Sequence, residues 1–289
     1  MLVLNNIYKK YQDKVILEDI CLTLNNGIYG LLGANGAGKT TLMKMICGVI
    51  KPSSGYIHYD GEAIGSGQSQ LIDCLGYLPQ DFSYYPEFTA YEFITYMATL
   101  KGMSRSDFEK QGHALLQLVG LDTVKHAKIK SFSGGMKQRL GIAQALLGDP
   151  KVLILDEPTV GLDPKERIRF RNLISSLSKD KIIILSTHII GDIDAVADEI
   201  LILKKGILLE QATPQSLLEK IDNQVWEVDV EIDLADKLKA SYIISNQKVV
   251  NNRLMLRIVS SVSPIEGAHH VQPNLEDLYL YYFPNIGES

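Results

Sequence analysis

A chain of 289 residues with 46% hydrophobic and 22% charged residues reads as an ordinary globular protein that can bury one large core or two smaller ones. Its formal net charge of −5 makes it a poor default nucleic-acid binder, because counterion release needs clustered Lys and Arg. Cys21, Cys47 and Cys74 are scattered, which suits reduced cytosolic thiols; Met1–Asn6 lacks the order of a signal peptide, and no apolar run reaches the roughly 18 residues of a membrane helix.

The opening segment is expected to form antiparallel strands. Val15-Ile16-Leu17 precedes Ile20, Leu22 and Leu24, which alternate with Cys21 and Thr23. Asn26-Gly27 is a hairpin-turn signal. A strand over Ile28–Leu32 then meets the run Gly33-Ala34-Asn35-Gly36-Ala37-Gly38-Lys39-Thr40. Beyond it, Leu42, Met43, Ile46 and Val49 recur at helical spacing until Pro52-Ser53-Ser54-Gly55. From about Pro86 to Leu147 the pattern is mostly helical. Phe88, Tyr91, Phe93, Ile94, Met97 and Leu100 form one amphipathic stripe, with Ala90 and Glu92 helping its start; Leu115, Leu116, Leu118 and Val119 form another, closed by Gly120. The branched runs Val152–Leu155 and Ile182–Leu185 read as buried parallel strands, joined by a helix built on Ile168, Leu173, Ile174 and Leu177. Near Asp222 the chain changes character. Val225–Asp233 alternates as a half-buried strand, and Val249-Val250, Asn251-Asn252 and Leu254-Met255-Leu256 read as a hairpin. Two domains are expected, 1–221 and a small α/β appendage over 222–289.

The pattern GxxxxGK[ST] between a strand and a helix has a specific chemistry. Its glycines let backbone N–H groups approach phosphate oxygens, and the helix N-terminus favours their charge. Lys39 adds a point charge for the β and γ phosphates, and Thr40 offers a hydroxyl to Mg²⁺. Asp156 ends an apolar run, where a carboxylate is a poor core residue and a good Mg²⁺ ligand. Glu157 follows it, where it can face a water attacking the γ-phosphate.

The remaining motifs carry a resemblance. Ser133-Gly134-Gly135-Met136-Lys137-Gln138-Arg139 resembles the signature of ATP-binding cassette (ABC) proteins. Leu153-Ile154-Leu155-Asp156-Glu157-Pro158 resembles their Walker B strand, Gly161-Leu162-Asp163 their D-loop, Ser186-Thr187-His188 their switch-histidine segment, and Tyr77-Leu78-Pro79-Gln80 their Q-loop. All stand in family order over about residues 1–220. The resemblance implies an α/β fold: a P-loop ATPase core of ABC type with an N-terminal antiparallel β subdomain, a helical subdomain over about 81–145, and the C-terminal appendage. It implies ATP and Mg²⁺ as cofactors, held by residues 33–40 with Thr41, and Mg²⁺ by Thr40, Gln80 and Asp156. Glu157 is then the general base, His188 holds it and the water in register, and Lys39 and Gln80 complete the catalytic set. Tyr11, in its Lys-Lys-Tyr context, is the expected adenine-stacking aromatic, with Tyr8 as the rival. Phe132 stands where the family usually has Leu.

In the family two such domains stack head to tail, so Ser133, Gly134 and Gly135 would cap the nucleotide of a second ATPase subunit. The resemblance therefore implies a dimer, here a homodimer, acting on a separate membrane permease that places it on the inner face of the cell membrane. Pro273-Asn274-Leu275-Glu276-Asp277-Leu278-Tyr279 looks like the tail of bacterial drug and antibiotic-peptide exporter ATPases, which favours export. The alternative is a soluble, non-transport ABC ATPase associated with ribosomes or DNA. The DNA-repair type needs long coiled-coil heptads between the phosphate loop and the signature, and Thr41–Phe132 contains none.

Overall fold

The computed structural model describes residues 1–63 and 74–284. β1 (Leu2–Tyr11) and β2 (Lys14–Leu24) pair antiparallel. β3 (Gly27–Leu32) leads through residues 33–38 into α1 (Lys39–Ile46). β4 (Ser54–Tyr59) pairs antiparallel with β1 and turns through Asp60-Gly61, both at positive φ, into β5 (Glu62–Ala63). β6 (Leu75–Leu78) precedes three helices: α2 (Ala90–Leu100), α3 (Arg105–Leu118) and α4 (Gly134–Ala145). The chain continues with β7 (Val152–Asp156), α5 (Pro164–Leu177), β8 (Ile182–Ser186), α6 (Ile190–Val196), β9 (Glu199–Lys204) and β10 (Ile207–Ala212).

Among the described residues, the antiparallel sheet has the order β2-β1-β4-β5 and the central sheet the order β10-β9-β3-β8-β7-β6. The pairs β9–β3, β3–β8, β8–β7 and β7–β6 are all parallel. The hairpin expected at Asn26-Gly27 does not form. Every residue of β3 is buried, so the strand needs neighbours on both edges and cover on both faces. The interior of a parallel sheet supplies these and the edge beside β2 does not. β7 and β8 are likewise buried throughout, as their unbroken apolar runs predict.

The helical segment is fixed by its caps. Thr89, which the apolar pattern does not single out, starts α2: its Oγ1 accepts from the Glu92 N–H at 3.1 Å, and the Glu92 carboxylate accepts from the Thr89 N–H at 2.7 Å. Gly120, at φ 70°, ends α3 as expected. Its N–H reaches Gln117 O, and the Leu121 N–H reaches back to Leu116 O, the paired closure that a left-handed residue permits. The helix α5 buries Phe170 and Ile174. Ile168, expected on that face, is 52% exposed, because it lies on the opposite side of the turn.

A second unit, Ala212–Ser289 by its contacts, begins ten residues before the expected boundary. The reason is α7 (Pro214–Glu219), which packs against the C-terminal helix rather than closing the ATPase core. Then follow β11 (Val225–Val230), α8 (Ile232–Ser241), β12 (Ile243–Val250), β13 (Arg253–Val259), β14 (His269–His270) and α9 (Leu275–Tyr282). The sheet order is β12-β13-β11-β14, antiparallel in each pair. The hairpin at Asn251-Asn252 forms with both residues at positive φ, as a two-residue turn matching strand twist requires. The strand expected to reach Asp233 ends at Val230; Ile232 is 55% exposed and opens α8.

Candidate active site

Three neighbouring parallel strands end at one level. In register, Leu31 of β3 lies beside Ser186 of β8, and Ser186 lies beside Asp156 of β7. The loop 33–38, Asp156-Glu157 and Ser186-Thr187-His188 therefore leave the sheet side by side at its carboxyl edge, where open α/β sheets bind ligands. On the far side of β7, Leu78 pairs with Leu155, which brings Gln80 to the same edge. A cavity of about 320 Å³ opens there, lined by Lys14, Ile16, Asn35–Thr41, Gln80, Asp156, Glu157 and Ser186.

The loop is built by its glycines. A Cβ at Gly33 would run into the carbonyl oxygen of Leu203, and one at Gly38 (φ 106°) would stand 2.7 Å from Leu17 Cδ2. Gly36, at φ 77°, has open space before it. The backbone can thus turn its N–H groups outward while the loop sits close on β2 and β9.

Lys39 Nζ donates to the carbonyls of Gly33 at 2.5 Å and Ala34 at 3.2 Å. Burial holds the ammonium below the usual lysine range, against the pull of the Glu157 and Asp156 carboxylates. Asp156 is 1% exposed, and Thr40 Oγ1 donates to its Oδ2 at 2.9 Å. Burial raises the Asp156 carboxyl above its ordinary range and nearby Glu157 adds to this, while the Thr40 hydroxyl and Lys39 oppose it. The side chain of Glu157 is 13% exposed, and His188 Nδ1 lies 2.8 Å from its Oε2. The His188 N–H also donates to that oxygen at 3.3 Å. Glu157 itself stands at φ 55°, a left-handed conformation costing about 1–2 kcal/mol that only fixed surroundings maintain.

Hard oxygen donors converge where Thr40 meets Asp156, with the Gln80 amide lining the same cavity. This donor set fits Mg²⁺, which takes one or two carboxylates and shares the rest of its shell with phosphates and water. Among the described residues no group of three or more His, Cys, Asp or Glu is placed to hold a metal by itself.

The expected residues divide into three groups. Asn35–Thr41, Gln80, Asp156 and Glu157 line the cavity, with Gly33 and Ala34 behind them through Lys39 and His188 beside Glu157. Tyr11 is 48% exposed at the end of β1, opposite Lys14, with Lys9 Nζ 4.8 Å from its ring centre; Tyr8, three residues earlier on β1, also lies outside the lining. Ser133, Gly134 and Gly135 do not line the cavity at all. Ser133 caps α4, accepting from the Met136 N–H at 3.2 Å, and a Cβ at Gly134 would meet nothing within 4 Å. Sequence reasoning missed Lys14 and Ile16, which lie on a strand far from any motif, and gave no part to Gln138. That residue was visible inside the signature, but its contact with Glu157, described below, comes only from folding.

Residues 17–160 match the family model described as ABC transporter. The chain is 32% identical to the linearmycin resistance ATP-binding protein of Bacillus subtilis over 97% of each chain. It is 32% identical to the Nod factor export ATP-binding protein I of Burkholderia lata over 95% of this chain and 94% of that one. A dimeric structure of a bacterial ABC transporter cassette superposes with a TM-score of 0.68 at 25% identity, covering 74% of this chain and 98% of that one.

Proposed function

The chain belongs to the ABC transporter ATP-binding family, and from that membership we propose that two copies close head to tail on ATP and drive a separate membrane permease, in the direction of export. The observation that carries this reading is that the site is one-sided. One cavity gathers the loop, Thr40, Asp156, Glu157 and Gln80, while Ser133–Gly135 lies outside it with open space before Gly134. A second chain, related by a two-fold axis, would bring its Ser133–Gly135 over the nucleotide held at Lys39.

The loop N–H groups and Lys39 hold the β and γ phosphates. Thr40, Asp156 and Gln80 are the residues that would hold Mg²⁺, which when bound would supply positive charge beside the phosphates. Glu157 orients the attacking water and takes its proton; His188, bonded to Glu157 by both backbone and ring, fixes the carboxylate against the γ-phosphate. Tyr11 stacks on the adenine from the end of β1. Among the described residues no helix is long and apolar enough to cross a membrane; the membrane-spanning part in this reading is a separate permease subunit. That subunit would place the chain on the inner face of the cell membrane. Export follows the two relatives whose names carry export and resistance, since both align along the C-terminal unit as well. We take the ATPase domain as residues 1–221 and the appendage as 222–289 in function, with α7 the connector that packs with the latter.

Glu157→Gln tests the reading. It should abolish turnover and yield an ATP-dependent dimer by light scattering, with monomers in ADP. A variant that hydrolyses ATP normally overturns the base assignment. Co-purification with ribosomes or DNA, and with no membrane protein after mild detergent extraction, overturns the transport reading.

A further inference from the structure

The left-handed backbone of Glu157 is held on both sides. Its N–H donates to Ser186 O at 2.8 Å, and its carbonyl accepts from the Val160 N–H at 3.4 Å and from Gln138 Nε2 at 3.1 Å. Of these three contacts, the last alone comes from a side chain. Gln138 lies on α4, five residues after Ser133, so the helix whose first residues lie outside this cavity also bonds to one of the residues that line it. The same helix is fixed to the start of α5. Arg139 pairs with Glu166 at 2.9 Å, both side chains less than a quarter exposed. Gly135 sits so close to the turn before α5 that an added Cβ would stand 3.0 Å from Gly161 O.

We infer that Gln138 is a positioning residue for Glu157, and that through it the helix serving the partner's nucleotide sets the base in its own site. The inference rests on the two-chain reading above. Movement of α4 as Ser133–Gly135 engages a second nucleotide is carried by the Gln138 amide to the Glu157 carbonyl, one bond path from the carboxylate. Each site then senses whether the other is occupied.

Gln138→Met keeps the side chain's length and removes its donor; Gln138→Lys returns a donor. In the full-length protein the Met variant should lose about tenfold in kcat with the KM for ATP within about twofold, and the Lys variant should recover part of it. Equal loss in both variants, or loss that follows a fall in Tm, overturns the inference. Mixed dimers of differently tagged full-length chains locate the effect. One chain carries Lys39→Ala, leaving one live site. Gln138→Met is placed either on the chain whose Glu157 serves that site or on the chain whose Ser133–Gly135 caps it. Turnover should fall about tenfold more in the first arrangement than in the second. Equal loss, or a greater loss in the second, sinks the proposal. If Glu157→Gln forms no dimer with ATP, the two-chain reading has failed instead.

Discussion

Asp156 shows a carboxylate placed for ligand binding at the expense of the folded state. It is buried, and its carboxyl lies above the ordinary range because ionisation there is disfavoured. The sign follows from linkage. A raised carboxyl pKa means that the folded chain holds the proton longer than the unfolded chain. The penalty is therefore absent at pH below the unfolded value and fully present above the folded one. Asp156→Asn should raise Tm at neutral pH while lowering Mg²⁺-dependent hydrolysis. The Tm gap to wild type should widen as pH climbs out of the ordinary carboxylate range; a gap constant with pH contradicts the cause. Lys39 presents the opposite case: burial disfavours its charge, and Gly33 and Ala34 carbonyls occupy its ammonium. Lys39→Ala should weaken ATP binding about tenfold or more, the worth of one charge-assisted contact to phosphate, and titration calorimetry measures it directly. Sequence reasoning reached Lys39, Thr40, Asp156 and Glu157 because each sits at a fixed offset from a strand end. It did not reach the partner of the Glu157 carbonyl, since nothing local to Gln138 encodes a contact 19 residues away.

At the level of elements, punctuation residues were legible where they act alone and deceptive where a sheet competes for the strand. Asn251-Asn252 gives its hairpin because both residues tolerate positive φ and the strands on either side have no other partner for those edges. Replacing both with alanine should cost about 1–2 kcal/mol per position, seen as a lower denaturation midpoint of the C-terminal unit. Asn26-Gly27 carries the same signal and fails, because β3 is apolar at nearly every position and the central sheet takes it. The signature helix is the clearest case of one element with two duties. Its first turn presents Ser133 and Gly134 outward while Gly135 packs on the turn before α5, and its second turn holds Glu157 and Glu166 through Gln138 and Arg139. The motif is readable as residues in a row, whereas the two faces of the helix become distinct only when α5 and β7 are packed against it.

Across the whole chain, two compact units meet the sequence between Gln211 and Ala212. The C-terminal unit is fastened by a buried ion pair. Asp277 is 0% exposed and accepts from Arg257 Nη2 at 2.7 Å and Nε at 3.0 Å, Ser245 Oγ at 2.5 Å and the Asn274 N–H at 2.9 Å. Asp277→Ala removes the closer of the two carboxylates that Arg257 meets, leaving Glu227 at 3.3 Å as its remaining ion partner, and should destabilise this unit by about 3 kcal/mol, the lower end for a broken buried pair. The chain's single tryptophan, Trp226, lies on β11. Its fluorescence should therefore report a midpoint moved to lower denaturant, while the main far-UV circular dichroism transition of residues 1–211 stays in place. Coincident shifts of both signals would show that the units unfold as one. Taken by itself, the sequence determined the phosphate loop, the order of the motifs, the parallel strands and a change of fold near the C-terminus. Each of these is written in local spacing: glycines at fixed offsets, unbroken apolar runs, alternation at period two. The tertiary structure alone decided that β3 leaves the hairpin for the central sheet, that α7 joins the second unit, and that Gln138 holds Glu157. Those outcomes depend on which surfaces compete for burial and on contacts between residues distant in sequence, and no local pattern carries them.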